Sequence, residues 1–85
     1  MAKVISIDPG KNKCGLILAE ISEKKVYQAS IVNTELISDY IINLNNIENI
    51  SKIIIGNGTT SGDIKKKLDF FKKEKIIVEL KITQL

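Results

Sequence analysis

The sequence predicts a single mixed α/β domain with the element order β-β-β-α-β-α-β. Three observations predict it: short β-branched runs joined by tight polar turns up to Val32, a switch to three- and four-residue apolar spacing after it, and two later apolar triplets, Ile53-Ile54-Ile55 and Ile76-Ile77-Val78, separated by a second helical stripe. With 85 residues the chain holds one domain, residues 1–85, near the lower size limit for a self-supporting core.

Taken in order, Val4-Ile5-Ser6-Ile7 reads as strand one, stopped by Asp8-Pro9-Gly10. Pro9 lacks an amide donor and Gly10 tolerates positive φ, so the chain turns there. Strand two runs from Cys14 to Ile21, and Ser22-Glu23-Lys24 turns it into strand three, about Lys25 to Val32. Connections this short make an antiparallel meander. Ile37, Tyr40, Ile41, Leu44 and Ile47 then form the stripe of an amphipathic helix, with Asn33 or Thr34 as its cap. Ile53-Ile54-Ile55 is strand four, and residues 56–62, rich in glycine and hydroxyls, form a polar loop. Thr60 and Asp63 have capping-box spacing before a second stripe of Ile64, Leu68 and Phe71. Residues 75–80 give strand five. A helix between strands four and five makes them parallel neighbours through a right-handed crossover, which leads to a five-stranded sheet of order 3-2-1-4-5. The apolar triplets read as strands buried on both faces. Two helices are a thin supply for that, so a further helix or a second copy of the chain is expected to cover the other face, and a homodimer is the expected assembly.

Composition removes many chemistries. One cysteine, Cys14, excludes an internal disulfide and a multi-cysteine zinc site, and the absence of histidine excludes Ser-His-Asp and Cys-His catalysis. No apolar run reaches the roughly 18 residues of a membrane span, and the N-terminus lacks a signal-peptide pattern, so a cytoplasmic protein is expected. The formal net charge is +3, but every basic residue is lysine. Dispersed lysines and clusters such as Lys65-Lys66-Lys67 read first as solvated surface and second as phosphate contacts.

The remaining candidates are carboxylates, hydroxyls and backbone amides. Ligand sites of parallel α/β sheets gather at the carboxyl ends of the strands. Asp8, Gly56-Asn57 and Glu79 stand at three such ends. In the order 3-2-1-4-5, strands one and five flank strand four, with backbones roughly 9–10 Å apart. Asp8 and Glu79 could converge above Gly56 as hard oxygen donors for Mg²⁺ or Mn²⁺. Each also has a plainer reading: Asp8 as a turn residue, Glu79 as a solvated strand end, and Gly56-Asn57-Gly58-Thr59-Thr60 as an ordinary loop and helix cap rather than a phosphate cradle.

Ile5-Ser6-Ile7-Asp8-Pro9-Gly10, followed by Lys13-Cys14-Gly15-Leu16, resembles the first hairpin of the RNase H-like superfamily, in particular its Holliday-junction resolvase-like branch of RuvC and YqgF nucleases. Ile54-Ile55-Gly56-Asn57-Gly58-Thr59-Thr60-Ser61 resembles the fourth-strand exit of small YqgF-like proteins. The resemblance implies an RNase H-like fold, Asp8 as a metal ligand and catalytic residue, Glu79 as its assistant, and weak Mg²⁺ or Mn²⁺ binding. It also implies a structured DNA or RNA partner approached by Gly10 and the Gly56–Thr60 loop. The family pattern carries an acidic pair on strand five, where this chain has Glu79 alone, and a C-terminal helix with a further aspartate that is missing here. Nuclease turnover is therefore expected to be weak or lost. Two rival readings keep the fold: a non-catalytic nucleic-acid-binding or dimerisation module, and a nucleotide-binding fragment of the actin-like and sugar-kinase type, whose first hairpin binds phosphate behind a strand-one aspartate.

Overall fold

The computed structural model describes residues 3–57, 61–68 and 76–80, the last as backbone. The elements are β1 (Lys3–Asp8), β2 (Lys13–Glu20), β3 (Lys25–Asn33), a 3-10 turn (Thr34–Leu36), α1 (Ile37–Ile47), β4 (Ile50–Asn57), α2 (Ser61–Lys67) and β5 (Ile76–Leu80). β1 pairs antiparallel with β2 and β2 with β3, while β4 lies parallel to β1 on its other side. The order β3-β2-β1-β4 is the one expected, and β5 adds to β4 in parallel, with Ile53 opposite Ile76 and Gly56 opposite Glu79. A sheet antiparallel on one side of β1 and parallel on the other is broadly compatible with an RNase H-like fold.

Side chains alternate across a strand, so one face of this sheet collects Ile5, Ile7, Leu16, Leu18, Ile53 and Ile55, all fully or almost fully buried. Both helices cover that face: Ile37 and Ile41 of α1, Ile64 of α2 and the adjoining Leu68 belong to the same core cluster. Each such isoleucine or leucine contributes about 1.5–3 kcal/mol by leaving water. Tyr40 seats α1 on β3, its hydroxyl sharing hydrogen bonds with Gln28 Nε2 and, at 3.0 Å, with Ser30 Oγ. At the far end, Lys3 Nζ meets Glu48 Oε1 at 2.7 Å, joining the start of β1 to the end of α1.

Several expectations are corrected. α1 and α2 share one face of the sheet, and the element expected to cover the other is not among the described residues. The other face presents Val4, Ser6 and Asp8 of β1 beside Gly15 and Ile17 of β2, with Ile17 exposed. Neither Asn33 nor Thr34 caps α1; Leu36 occupies the cap position without a side-chain bond, and the Thr34 hydroxyl turns back to Gly10. Ile47 ends the helical stripe yet is 78% exposed, since the helix stops there and Ile50 takes over the packing. Gly56 and Asn57 continue β4 rather than opening a loop. Gly10 has no positive φ; among the described residues the left-handed one is Lys24, at φ 52, in the β2–β3 turn. Thr60, the proposed partner of Asp63 in a capping box, and Phe71 lie outside the described residues.

Candidate functional site

β1 runs through the middle of the sheet and ends at Asp8, whose side chain is exposed at the strand end. Directly across β2 stands Gly15, and a β-carbon placed there would lie 3.6 Å from that of Asp8. On the other side Gly56 follows Ile55, which pairs with Ile7. A β-carbon at Gly56 would rest 3.4 Å from Pro9 Cδ. The carboxylate is thus flanked on both neighbouring strands by residues without side chains. Glu79 holds the register position opposite Gly56, and Asn57 the one opposite Leu80. By strand spacing the Asp8 and Glu79 backbones stand roughly 9–10 Å apart in one row.

The turn after Asp8 is held by its neighbours. A β-carbon at Gly10 would meet the Lys13 carbonyl oxygen at 2.2 Å, which no side chain tolerates. Thr34 secures the turn twice: its amide donates to the Asn12 carbonyl at 2.9 Å, and its hydroxyl donates to the Gly10 carbonyl at 2.9 Å. With that hydroxyl proton committed, the buried Cys14 thiol donates to Thr34 Oγ1 at 3.3 Å. Lys11 and Asn12 at the tip, with Asn33 and Glu35, line a polar hollow of about 220 Å³.

A larger concavity, about 390 Å³, lies beside Asp8 on the face opposite α1 and α2. Gly15 and Ala29 form its low floor, Ile17 and Ile31 its walls, and Ser6 and Asp8 its polar end. Sequence reasoning missed it. The available signal was the cross-strand alternation of small and large residues, Gly15 opposite Ile31 and Ile17 opposite Ala29, which is visible only once the register is known.

Of the expected site residues, Asp8, Gly10, Gly56 and Asn57 gather at this sheet edge and Glu79 joins them by backbone register. Gly58, Thr59 and Thr60 lie outside the described residues. Lys65, Lys66 and Lys67 are exposed on α2, in keeping with a solvated face. Among the described residues no three metal-ligating side chains come together, whereas two-metal phosphodiester hydrolysis draws on several carboxylates. The resolvase-type nuclease expectation gains no support here. No helix among the described residues is long and apolar enough to cross a membrane.

No protein-family model matches the chain, and no curated protein does. Among solved structures it is similar to the type II variant of the Aquifex aeolicus Ppx/GppA phosphatase, at 12% identity and a TM-score of 0.47, over 94% of this chain and 36% of that one. It is also similar to another structure of the Aquifex aeolicus Ppx/GppA family member, at 10% identity and a TM-score of 0.45, over 93% of this chain and 35% of that one. The chain spans about a third of the length of both structures.

Proposed function

We propose that this chain is a nucleotide-binding fragment of the actin-like and sugar-kinase type, with the β1–β2 turn facing the phosphates. The observation that carries the reading is the pairing of an exposed carboxylate at the end of the central strand with a turn that excludes a side chain at Gly10 and is tied down by Thr34. Such a turn offers backbone N–H groups to phosphate oxygens at little reorganisation cost, and Lys11 adds positive charge beside them.

Asp8 fits a hydrated Mg²⁺ or Mn²⁺: it is a hard oxygen donor, exposed, with Gly15 and Gly56 leaving room for the water shell. The ion would neutralise phosphate charge when bound. Glu79, in register with Gly56, is the second carboxylate available to the same edge. One or two carboxylates suit a metal carried in with a nucleotide better than a pair of resident ions, which is why binding is preferred here over phosphodiester cleavage. In the actin-like and sugar-kinase arrangement a second domain closes over the nucleotide, so the chain by itself is expected to bind weakly and to turn over little.

Calorimetric titration of the 85-residue chain with ATP and ADP, with and without Mg²⁺, tests the reading. Binding on the order of millimolar that requires Mg²⁺ and is lost in Asp8→Asn supports it. Nucleotide binding indifferent to both overturns it. Mn²⁺-dependent cleavage of branched DNA or structured RNA, abolished by Asp8→Asn, would return the same residues to the nuclease reading.

A further inference from the structure

We propose that the outer edge of β3 is a self-pairing surface, on which a second copy of this chain adds its own β3 antiparallel to form one continuous sheet. β3 (Lys25–Asn33) is the outermost strand on its side of the sheet, so half of its backbone donors and acceptors face outward. Edges of this kind are normally blunted by charge, proline or brevity. From Val26 to Asn33 this one carries neither a charged residue nor a proline. Its one irregularity is near the start, where pairing steps from Leu18–Gln28 to Ala19–Val26 and leaves Tyr27 as a bulge. Beyond that point the ladder is regular.

Three of the exposed large apolar side chains lie on the same strand. Val26, Tyr27 and Ile31 are all exposed, and Ile31, at 73%, stands on the face opposite α1 and α2. An isolated surface isoleucine needs no explanation, but Val26 and Ile31 are exposed on one outer strand that pairs with no further strand among the described residues.

The occupant follows from how this edge matches itself. A twofold axis perpendicular to the sheet through Ser30 sets Ser30 against its own copy, Ala29 opposite the partner's Ile31 and Gln28 opposite the partner's Val32. Each pair lies on one face, as antiparallel pairing requires. The small Ala29 makes room for the exposed Ile31. The ends agree as well: Lys25 opens the strand and Glu35 follows it. Antiparallel pairing brings each Lys25 toward the other copy's Glu35, and a parallel arrangement would set like charges together. An interface that is neutral along its length and oppositely charged at its ends suits a second copy.

The 85-residue chain is studied by light scattering and sedimentation across a concentration series, with amide hydrogen exchange read residue by residue. The expected result is a monomer–dimer equilibrium in which the outward amides of β3 gain protection on association. Ile31→Lys should abolish the dimer at concentrations where the parent associates, with an unchanged circular dichroism spectrum. Lys25→Glu should weaken association several-fold, and adding Glu35→Lys should restore it. A chain monomeric up to high micromolar concentration overturns the proposal. So does a dimer whose β3 outward amides exchange as freely as in the monomer, which places the contact elsewhere whatever the variants do.

Discussion

Thr34 Oγ1 donates to the carbonyl of Gly10 at 2.9 Å, joining residues 24 positions apart at the turn that follows Asp8. The bond makes the end of β3 the support of the β1–β2 turn. Thr34→Val removes both that donor and the acceptor of the buried Cys14 thiol. It should destabilise the fold by about 1–3 kcal/mol. Thr34→Ser retains the hydroxyl and should recover most of the loss. Urea unfolding of the two variants beside the parent decides this.

Gly10→Ala tests the turn from the other side. Its β-carbon would sit 2.2 Å from a backbone oxygen, an atom that cannot swing away as a side-chain tip can. Displacing the Lys13 carbonyl should cost about 1–3 kcal/mol, the usual range for overpacking. It should also shift the amide resonances of residues 10–13 more than those of the distant β2–β3 turn.

Lys24 is the position where glycine would help. Its φ of 52 lies in the left-handed region, which disfavours a β-carbon by roughly 1–2 kcal/mol. Part of the gain is offset by the larger conformational freedom of glycine in the unfolded chain. Lys24→Gly should therefore raise the unfolding free energy by about 0.5–1 kcal/mol, read as a higher urea midpoint with an unchanged slope.

Alkaline pH should loosen the corner where β1, β2 and β3 meet the end of α1. The hydrogen bond to Glu48 raises the Lys3 ammonium above its ordinary pKa. Desolvation, and then donation of its hydroxyl to Glu20 Oε1 at 3.1 Å, raises Tyr27. Both groups hold their protons more tightly in the folded chain than in the unfolded one. The stability they contribute is therefore complete below about pH 10 and is lost as pH rises through the raised values. Lys3 Nζ also lies 4.7 Å from the Tyr27 ring centroid, and its positive charge offsets part of the rise at Tyr27. Urea midpoints measured on both sides of that pH should fall in the parent and fall less in Tyr27→Phe.

The strands and helices were legible because their signals are local. Tight turns, a period of two and then of three to four, and apolar triplets each act over a few residues, and they placed β1 to β4 and both helices. What escaped depends on contacts distant in sequence. Thr34 has the composition of a helix cap, but Gly10, 24 positions earlier, competes for its hydroxyl and wins. Ile54 sits inside an apolar triplet that suggested burial on both faces, yet α1 and α2 pack on the same face and leave it half-buried. The concavity beside Asp8 needs the β2–β3 register before its floor of Gly15 and Ala29 can be recognised. The place of Asp8 at the end of the central strand was legible because an apolar run meets a Pro-Gly turn there.

Gly15 allows the site to be separated from the fold. It lies within β2, where alanine is favoured over glycine by roughly 0.5–1 kcal/mol through the lower entropy of the unfolded chain. Its added β-carbon would meet Asp8 Cβ at 3.6 Å, an ordinary van der Waals contact, so the fold accepts it without strain. The same methyl would stand beside the carboxylate and on the floor of the concavity, where the water shell of a bound metal or a phosphate oxygen would have to pass. Gly15→Ala should therefore unfold at a higher urea concentration than the parent while its Mg²⁺-dependent nucleotide binding weakens. Asp8→Asn, which replaces a hard oxygen donor by an amide, should lose the binding. If Gly15→Ala is stabilised and its nucleotide binding matches that of the parent, the ligand does not reach this face of Asp8, and the turn at Gly10 to Lys13 would have to hold it alone.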